Sequence, residues 1–374
     1  MKIKKTILIL TSEHKKNKGI DDLKEYLNKY FDDFDVFIID ENQTGGKGAA
    51  KRRSDINRFF IQNYGGELSP RAFIEEKIRS FRAEAGIKHS AKSQERVKNA
   101  MLRFNPESVL ATTPEMLYYA VEAKKREDLS CKVIGLVNSF TFDKRYFNAA
   151  ADGYIVANMQ VKNQITGMGY PSADVKVLGL PMKYASYSTE QVVAAKKELG
   201  LADKPTVYLC GGMYGNGNIA NIYKLLTDQG EYINLIVDCG QNGRLYNKFL
   251  KDAENRKLQN VKIYHNTEET DSLLTASDIV ITTYCVDFIN NCLLRTLPVI
   301  AVSPMDEREE REFSYLEEND LVLYARDTNQ VITYMYKIIQ DGIGVRLIDG
   351  AKLNMNTNSL FDVSNYLTLT VNAD

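Results

Sequence analysis

Short, continuous apolar runs rich in β-branched residues recur along the chain, separated by helical patterns, and they narrow the folds open to it. The first set is Thr6–Leu10, Asp35–Ile39, Ser108–Ala111, Val133–Val137 and Gly153–Ala157. The second is Thr206–Cys210, Asn234–Cys239, Val261–Tyr264, Asp278–Thr282, Pro298–Val302 and Leu321–Tyr324. A strand with one wet face alternates apolar and polar residues, whereas a run that is apolar throughout is covered on both faces. Such runs between helices predict parallel sheets. Because the series occurs twice, the expected fold is α/β, with two Rossmann-like domains facing a cleft. The break falls at Gly179-Leu180-Pro181-Met182, where Pro181 stops a strand, and the polar stretch Lys183–Gln191 can act as a hinge. The domains expected are residues 1–182, residues 183–356, and a C-terminal segment, residues 357–374, that crosses back to the first domain.

At 374 residues the chain is long enough for two domains. Its apolar fraction of 44%, charged fraction of 26% and net charge of −1 suit a soluble globular protein that binds no nucleic acid. The charge is unevenly spread. Between Glu41 and Phe104, fourteen Lys/Arg stand against seven Asp/Glu, a local net of +7. Within Gly45–Arg103 a helical pattern interleaves Phe59, Phe60, Phe73 and Phe81 with Arg58, Arg71, Arg79 and Arg82. A basic amphipathic helix of this kind lies on anionic lipid or packs its apolar side on its own domain. In the first case Lys51, Arg52, Arg53, Arg58, Phe59 and Phe60 are the membrane-contacting residues. Five cysteines (Cys131, Cys210, Cys239, Cys285, Cys292) form no CxxC pair, as expected of free thiols in a reducing compartment. The apolar run in MKIKKTILIL is too short for a signal peptide, and no stretch approaches membrane-spanning length. The expected location is the cytoplasm, peripheral on the inner face of the cell membrane if the basic segment meets lipid.

Three segments can carry chemistry. Cys210-Gly211-Gly212-Met213-Tyr214-Gly215-Asn216-Gly217-Asn218 follows the first strand of the second domain and precedes a helical pattern. Its glycines permit positive φ and close approach of backbone N–H groups to an anion, and the helix start adds a positive dipole end. Diphosphate binding and a merely tight strand-to-helix turn both use such residues. Asp238-Cys239-Gly240-Gln241-Asn242 ends another strand of that domain, where open α/β sheets bind ligands. Asn290-Asn291 and Arg308-Glu309 can reach ribose or sugar hydroxyls, or cap and solvate helices. His14, His89 and His265 have no ligand spacing, so neither a metal nor a cofactor is expected.

Taken together, the segments resemble the monogalactosyldiacylglycerol synthase and processive diacylglycerol glucosyltransferase family, relatives of the peptidoglycan N-acetylglucosaminyltransferase. The matching text runs from Asn105-Pro106 through Thr113-Pro114 and DGYIVANMQVKNQITGMGYPSADVKVLGLPM (from Asp152). It continues in VDCGQNGRLYNKF (from Val237), LLTASDIVIT (from Leu273) and LPVIAVSP (from Leu297). The resemblance covers more than half the chain. It implies the glycosyltransferase B architecture and transfer of a sugar from a nucleotide donor, most simply a UDP-sugar, to a lipid or lipid-linked acceptor. The donor would lie on the C-terminal domain and the acceptor on the N-terminal one, with Gly45–Arg103 where that family contacts the membrane. The donor residues it implies are Gly211, Gly212, Tyr214, Asn216, Gly240, Gln241, Asn242, His265, Asn290, Asn291, Arg308 and Glu309.

The chain departs from that family where its chemistry is done. The family's Gly-rich loop with a His is here Thr11–Gly19, lacking most of the glycines, with His14 near but out of register. Its Thr-Asp-Phe-x-x-His segment is Asn138-Ser139-Phe140-Thr141-Phe142-Asp143, so Ser139 stands for the base and Asp143 for the His. Its Lys-Pro-Gly-Gly turn is Thr283-Tyr284-Cys285-Val286, its following Glu is Asn291, and its Gln-Glu pair is Arg308-Glu309. A serine without a paired base accepts protons poorly at neutral pH, which leaves Asp143 as the candidate base, with His14 as a second catalytic candidate. Three functions follow: an inverting transferase; a catalytically silent relative that partners or regulates an active transferase; and, ranked last, an epimerase-like enzyme of the same architecture.

Overall fold

The computed structural model describes residues 4–12, 18–40, 90–215 and 217–370. His14, His89, Asn216, Lys51, Arg52, Arg53, Arg58, Phe59 and Phe60 lie outside the described residues, as does most of the basic-aromatic segment.

Two compact units divide the chain. The first runs to Tyr184 and resumes at Asn356, and the second is Ala185–Met355. The first unit opens with β1 (Lys5–Thr11), α1 (Lys18–Tyr30) and β2 (Phe34–Asp40), then α2 (Ala91–Phe104), β3 (Ser108–Ala111), α3 (Pro114–Arg126) and β4 (Lys132–Leu136). A 3-10 turn (Lys144–Tyr146), β5 (Gly153–Val156), α4 (Met159–Gly167) and β6 (Val175–Val177) complete its sheet. All its strands are parallel, in the order β2-β1-β3-β4-β5-β6. Alternate residues of β1 serve opposite cores. Leu8 and Leu10 pack with α2, α3 and α4, while Ile7 and Ile9 pack with α1. β6 is not among the predicted strands. It is three residues long with Lys176 at its centre, too short to register as an apolar run.

Local chemistry sets the helix ends. Thr113 caps α3 by accepting from Met116 N–H, with Pro114 at the first position, Glu115 in the first turn and Lys124, Lys125 and Arg126 in the last. Asn158 caps α4 and also donates to Phe140 O (2.8 Å). Asp152 accepts from Lys124 Nζ (2.7 Å) and Val133 N–H (2.6 Å), so it ties α3 to β4 as scaffold.

The second unit contains α5 (Thr189–Glu198), β7 (Thr206–Cys210), α6 (Ile219–Thr227), β8 (Asn234–Asp238), α7 (Gly243–Arg256), β9 (Val261–Tyr264) and α8 (Thr270–Thr275). It continues with β10 (Ile279–Thr282), α9 (Val286–Leu294), β11 (Val299–Val302), α10 (Glu307–Glu318), β12 (Leu323–Ala325), α11 (Thr328–Gln340) and α12 (Ile343–Asn354). Its parallel strands run β12-β11-β10-β7-β8-β9, so successive crossovers leave β7 in opposite directions and open a switch point between β7 and β10. The polar stretch expected as a hinge is held at its start, where Lys183 N–H donates to buried Asp22 (2.9 Å). It then enters α5 through a Ser188–Gln191 capping box.

The final helix, α13 (Ser359–Leu369), belongs to the first unit. Leu360, Val363 and Leu367 join the core built by β1 and α1. Asn356 donates to Leu178 O (2.9 Å), and Gly179, at φ +79°, has Asn356 and Ser359 against its α-carbon.

Candidate functional site

The carboxyl ends of β7 to β11 bring most of the described donor-side residues to one edge of the second sheet. After β7 the chain makes a 3-10 turn over Gly212–Tyr214, with positive φ at Gly212 (67°), Gly215 (62°) and Gly217 (75°). After β8 it turns through Gly240, at φ 53°. The two loops clasp. Gln241 N–H donates to Met213 O (2.6 Å), and Asn242 Nδ2 donates to Tyr214 O (3.2 Å). A side chain at Gly240 would begin 2.4 Å from both Gly212 O and Met213 O, so only glycine permits this approach. At Gly212 the nearest atom to such a side chain is Thr283 Oγ1, at 3.5 Å, an ordinary contact, so no clash requires glycine there.

Neighbouring strand ends close the ring. Asn266, just past β9, donates its N–H to Gly240 O (2.8 Å). Exposed His265 stands 5.4 Å from the Tyr246 ring. Thr283 and Ser303, past β10 and β11, crowd the α-carbon of Gly217. Ser303 itself has φ 50°, a conformation costly for a residue with a side chain. Asn218 donates its N–H to Ser303 Oγ (3.3 Å) and its amide to Thr328 Oγ1 (3.0 Å), and so caps α6 with no side-chain bond. Cys285 likewise starts α9 without one. Two helix N-termini thus present backbone N–H groups without side-chain caps at the edge where the glycine loops lie, an arrangement that favours an anion.

Asp238, part of the segment expected to end a strand at a ligand site but not among the donor residues, lies beneath this edge. It ends β8, is nearly buried, and accepts from Tyr208 OH (3.0 Å) and Gly240 N–H (2.8 Å). Burial raises its pKa above the ordinary 3.8, opposed by those two bonds and by His265. Its only sequence signal is a carboxylate at the end of an otherwise apolar run.

Other expected residues turn out to serve local structure. Asn242 caps α7, its Oδ1 accepting from Leu245 N–H (3.1 Å). Asn291 is buried, donates to Asp271 Oδ1 (3.3 Å) and accepts from Arg295 Nε (2.8 Å), while Arg295 pairs with Asp271 (2.6 Å) and stacks on Tyr187. Both ends of the Asn291 amide are therefore committed to the protein. Asn290 is buried beside it. Glu309 accepts from Met305 N–H (2.7 Å) and donates its own N–H to Asp306, which together start α10. Arg308 stacks over Tyr284, 5.7 Å from the ring centre. Tyr284, in place of the family's glycine turn, packs on Phe313.

On the first unit, Asp143 caps the 3-10 turn and accepts from Arg145 N–H (2.9 Å) and Nε (2.8 Å), with the guanidinium Nη2 at 2.5 Å. The carboxylate is thus bound by both the backbone and the guanidinium of Arg145. Ser139 is buried near it in sequence. The five cysteines are free thiols, and burial pushes Cys131 up to about 11 and Cys239 up to about 12, so neither is an available thiolate. Among the described residues no group of three His, Cys, Asp or Glu side chains is placed to hold a metal ion, and no helix is long and apolar enough to cross a membrane.

This fold is shared with known proteins. MurG of Acinetobacter baumannii superposes with a TM-score of 0.63 at 12% identity, covering 98% of this chain and 99% of that one. Anabaena HepE, solved with UDP and glucose, gives 0.58 at 14% identity over 98% and 99%. The UDP-bound MnaA of S. aureus gives 0.64 at 12% identity over 100% and 98%. No protein-family model matches the chain. In sequence it is 23% identical over 338 residues to a processive diacylglycerol β-glucosyltransferase of Bacillus cereus, covering 88% of this chain and 80% of that protein. A Staphylococcus saprophyticus protein of the same name is 21% identical over 237 residues, 63% of this chain and 59% of that one. The protein is of the glycosyltransferase B fold. Within that class it is a distant homologue of the processive diacylglycerol β-glucosyltransferases.

Proposed function

We propose that the protein transfers a hexose from a UDP-sugar to a diacylglycerol-type lipid, with the donor on the second unit and the acceptor on the first. The observation that carries this reading is the clasped pair of glycine loops beside helix N-termini without side-chain caps, in a chain homologous to lipid glucosyltransferases over most of its length. Backbone N–H groups there suit the departing diphosphate, and the transfer is a direct displacement at the anomeric carbon. Gly211, Gly212, Tyr214 and Gly240 belong to that cradle, with His265 at its rim. Asp143 takes the acceptor proton once Arg145 releases it, and the basic segment with Lys51, Arg52, Arg53, Arg58, Phe59 and Phe60 meets the anionic surface that holds the acceptor.

The test is incubation of the purified chain with labelled UDP-glucose, UDP-galactose or UDP-N-acetylglucosamine and vesicles of diacylglycerol in anionic phospholipid. A labelled glycolipid is expected. If no donor yields one, and UDP does not raise the melting temperature, the reading is wrong.

One observation favours a second reading. Asp143, Asn291 and Glu309 are all engaged locally, as they would be in a homologue that keeps the fold and has lost the chemistry. Such a protein binds UDP without turnover and co-purifies with an active transferase. Independent turnover by the purified chain excludes it.

A further inference from the structure

We propose that Asp238 and Tyr208 form a positioning pair that fixes Gly240, and through it the separation of the two loops that receive a nucleoside diphosphate. The proposal rests on the donor-site reading above and names the device that builds that site.

Asp238 is an unusual residue to bury. It sits at the end of β8, between β7 and β9, with only 9% of its surface exposed. No ion pair to it is found among the described residues, and its partners are a phenol and a backbone amide. A carboxylate buried without a cation opposes folding, and an apolar residue would pack there at less cost. What the carboxylate provides is two acceptors at a fixed angle. Oδ1 holds Gly240 N–H, and Oδ2 holds the hydroxyl of Tyr208, a fully buried residue in the middle of β7 whose ring also meets Phe288. The turn after β8 is thereby fastened to the neighbouring strand as well as to its own.

Gly240 passes that constraint on. Its carbonyl is held by Asn266 N–H, and the space a side chain on it would need is filled by the carbonyls of Gly212 and Met213. The next two residues bond to Met213 O and Tyr214 O. A shift of Gly240 therefore moves both loops together. An Asp that merely stabilised its own turn would need only the bond to the residue two positions on. The bond from Tyr208 is what that simpler role leaves unexplained.

The experiment measures UDP affinity by calorimetry on the full chain and its Asp238→Ala, Asp238→Asn and Tyr208→Phe variants, with thermal midpoints alongside. Asp238→Ala should weaken UDP binding about tenfold, the worth of one well-made hydrogen bond. Asp238→Asn should stay within about threefold of the parent, because its amide oxygen accepts from Gly240 and its amide nitrogen donates to Tyr208 O. Tyr208→Phe should fall between them. A variant set that loses thermal midpoint yet keeps the parent's UDP affinity would overturn the proposal, as would Asn performing no better than Ala. Hydrogen exchange without ligand supplies the second readout. Faster exchange in both 211–217 and 239–242 is expected for Asp238→Ala and near-parent exchange for Asp238→Asn. Acceleration confined to 239–242 refutes the coupling. If the parent itself does not bind UDP, the donor reading fails, and the exchange result alone decides whether the pair sets the loops.

Discussion

Adding one methyl group at Gly240 tests the loop clasp quantitatively. In Gly240→Ala the new carbon would lie 2.4 Å from Gly212 O and Met213 O and 2.6 Å from Met213 C, all backbone atoms that cannot rotate away. Ordinary contact begins near 3.4 Å, so one loop must retreat by about 1 Å. Overpacking of this kind costs about 1–3 kcal/mol. The φ of 53° adds about 1–2 kcal/mol for a residue with a β-carbon. Gly212→Ala is the control. Its φ of 67° carries the same backbone cost, but the nearest atom is Thr283 Oγ1 at 3.5 Å, so the overpacking cost is absent. Gly240→Ala should therefore be the less stable of the two by about 1–3 kcal/mol, or about 0.5–1.5 M in urea midpoint at a slope near 2 kcal/mol per M. The signal must come from the second unit's own transition, since a chain of two units need not unfold in one step. If the diphosphate lies against Gly212, Gly212→Ala should weaken UDP binding even though it destabilises the fold less than Gly240→Ala. Equal urea midpoints for the two variants would mean that the loops separate freely, and the clasp argument would fail with them.

Leu367→Ala empties a fully buried site where α13 meets β1 and α1, and should cost about 2–5 kcal/mol; denaturation that leaves the first unit's midpoint unchanged would deny the helix its bracing role. Asp143→Asn should lower turnover by about 10²–10⁴ with UDP affinity retained, if Asp143 takes the acceptor proton; unaltered turnover removes it from the chemistry. Asp238 predicts a pH effect. Because burial raises its folded pKa above 3.8, its favourable contribution is complete below that value and is lost as pH rises through the folded pKa, after which stability is level. Asp238→Asn should abolish that fall, as read from melting temperatures across the acid range, and an identical pH profile for parent and variant would contradict the assignment.

The fold was legible because a parallel strand between helical layers is apolar on both faces, which leaves few other readings of Thr6–Leu10 or Thr206–Cys210. β6 escaped because its three residues, one of them Lys176, take their place from pairing with β5 rather than from their own pattern. The site divides along a similar line. Glycines after β7 and β8 are visible in the sequence as a class, but their separate duties are not. Gly240 is required by another loop's carbonyls, whereas a side chain at Gly212 would meet only an ordinary contact, and only the clasp of loops from different strands distinguishes them. Asn291 misleads for the same reason. Its amide looks free to meet a ribose until Asp271, twenty residues earlier, and Arg295 take both ends. Asp238 is the converse case, since its place at a strand end groups it with the loop expected to meet a ligand. Here it turns inward to a tyrosine on the adjacent strand, a pairing set by sheet order alone. Asn242 and Glu309 mislead although their partners are local, because a helix cap and a hydroxyl ligand call for the same side chains. Residues whose partners arrive through a crossover needed the sheet, and in a doubly wound fold the edge that binds ligands is made largely of that kind.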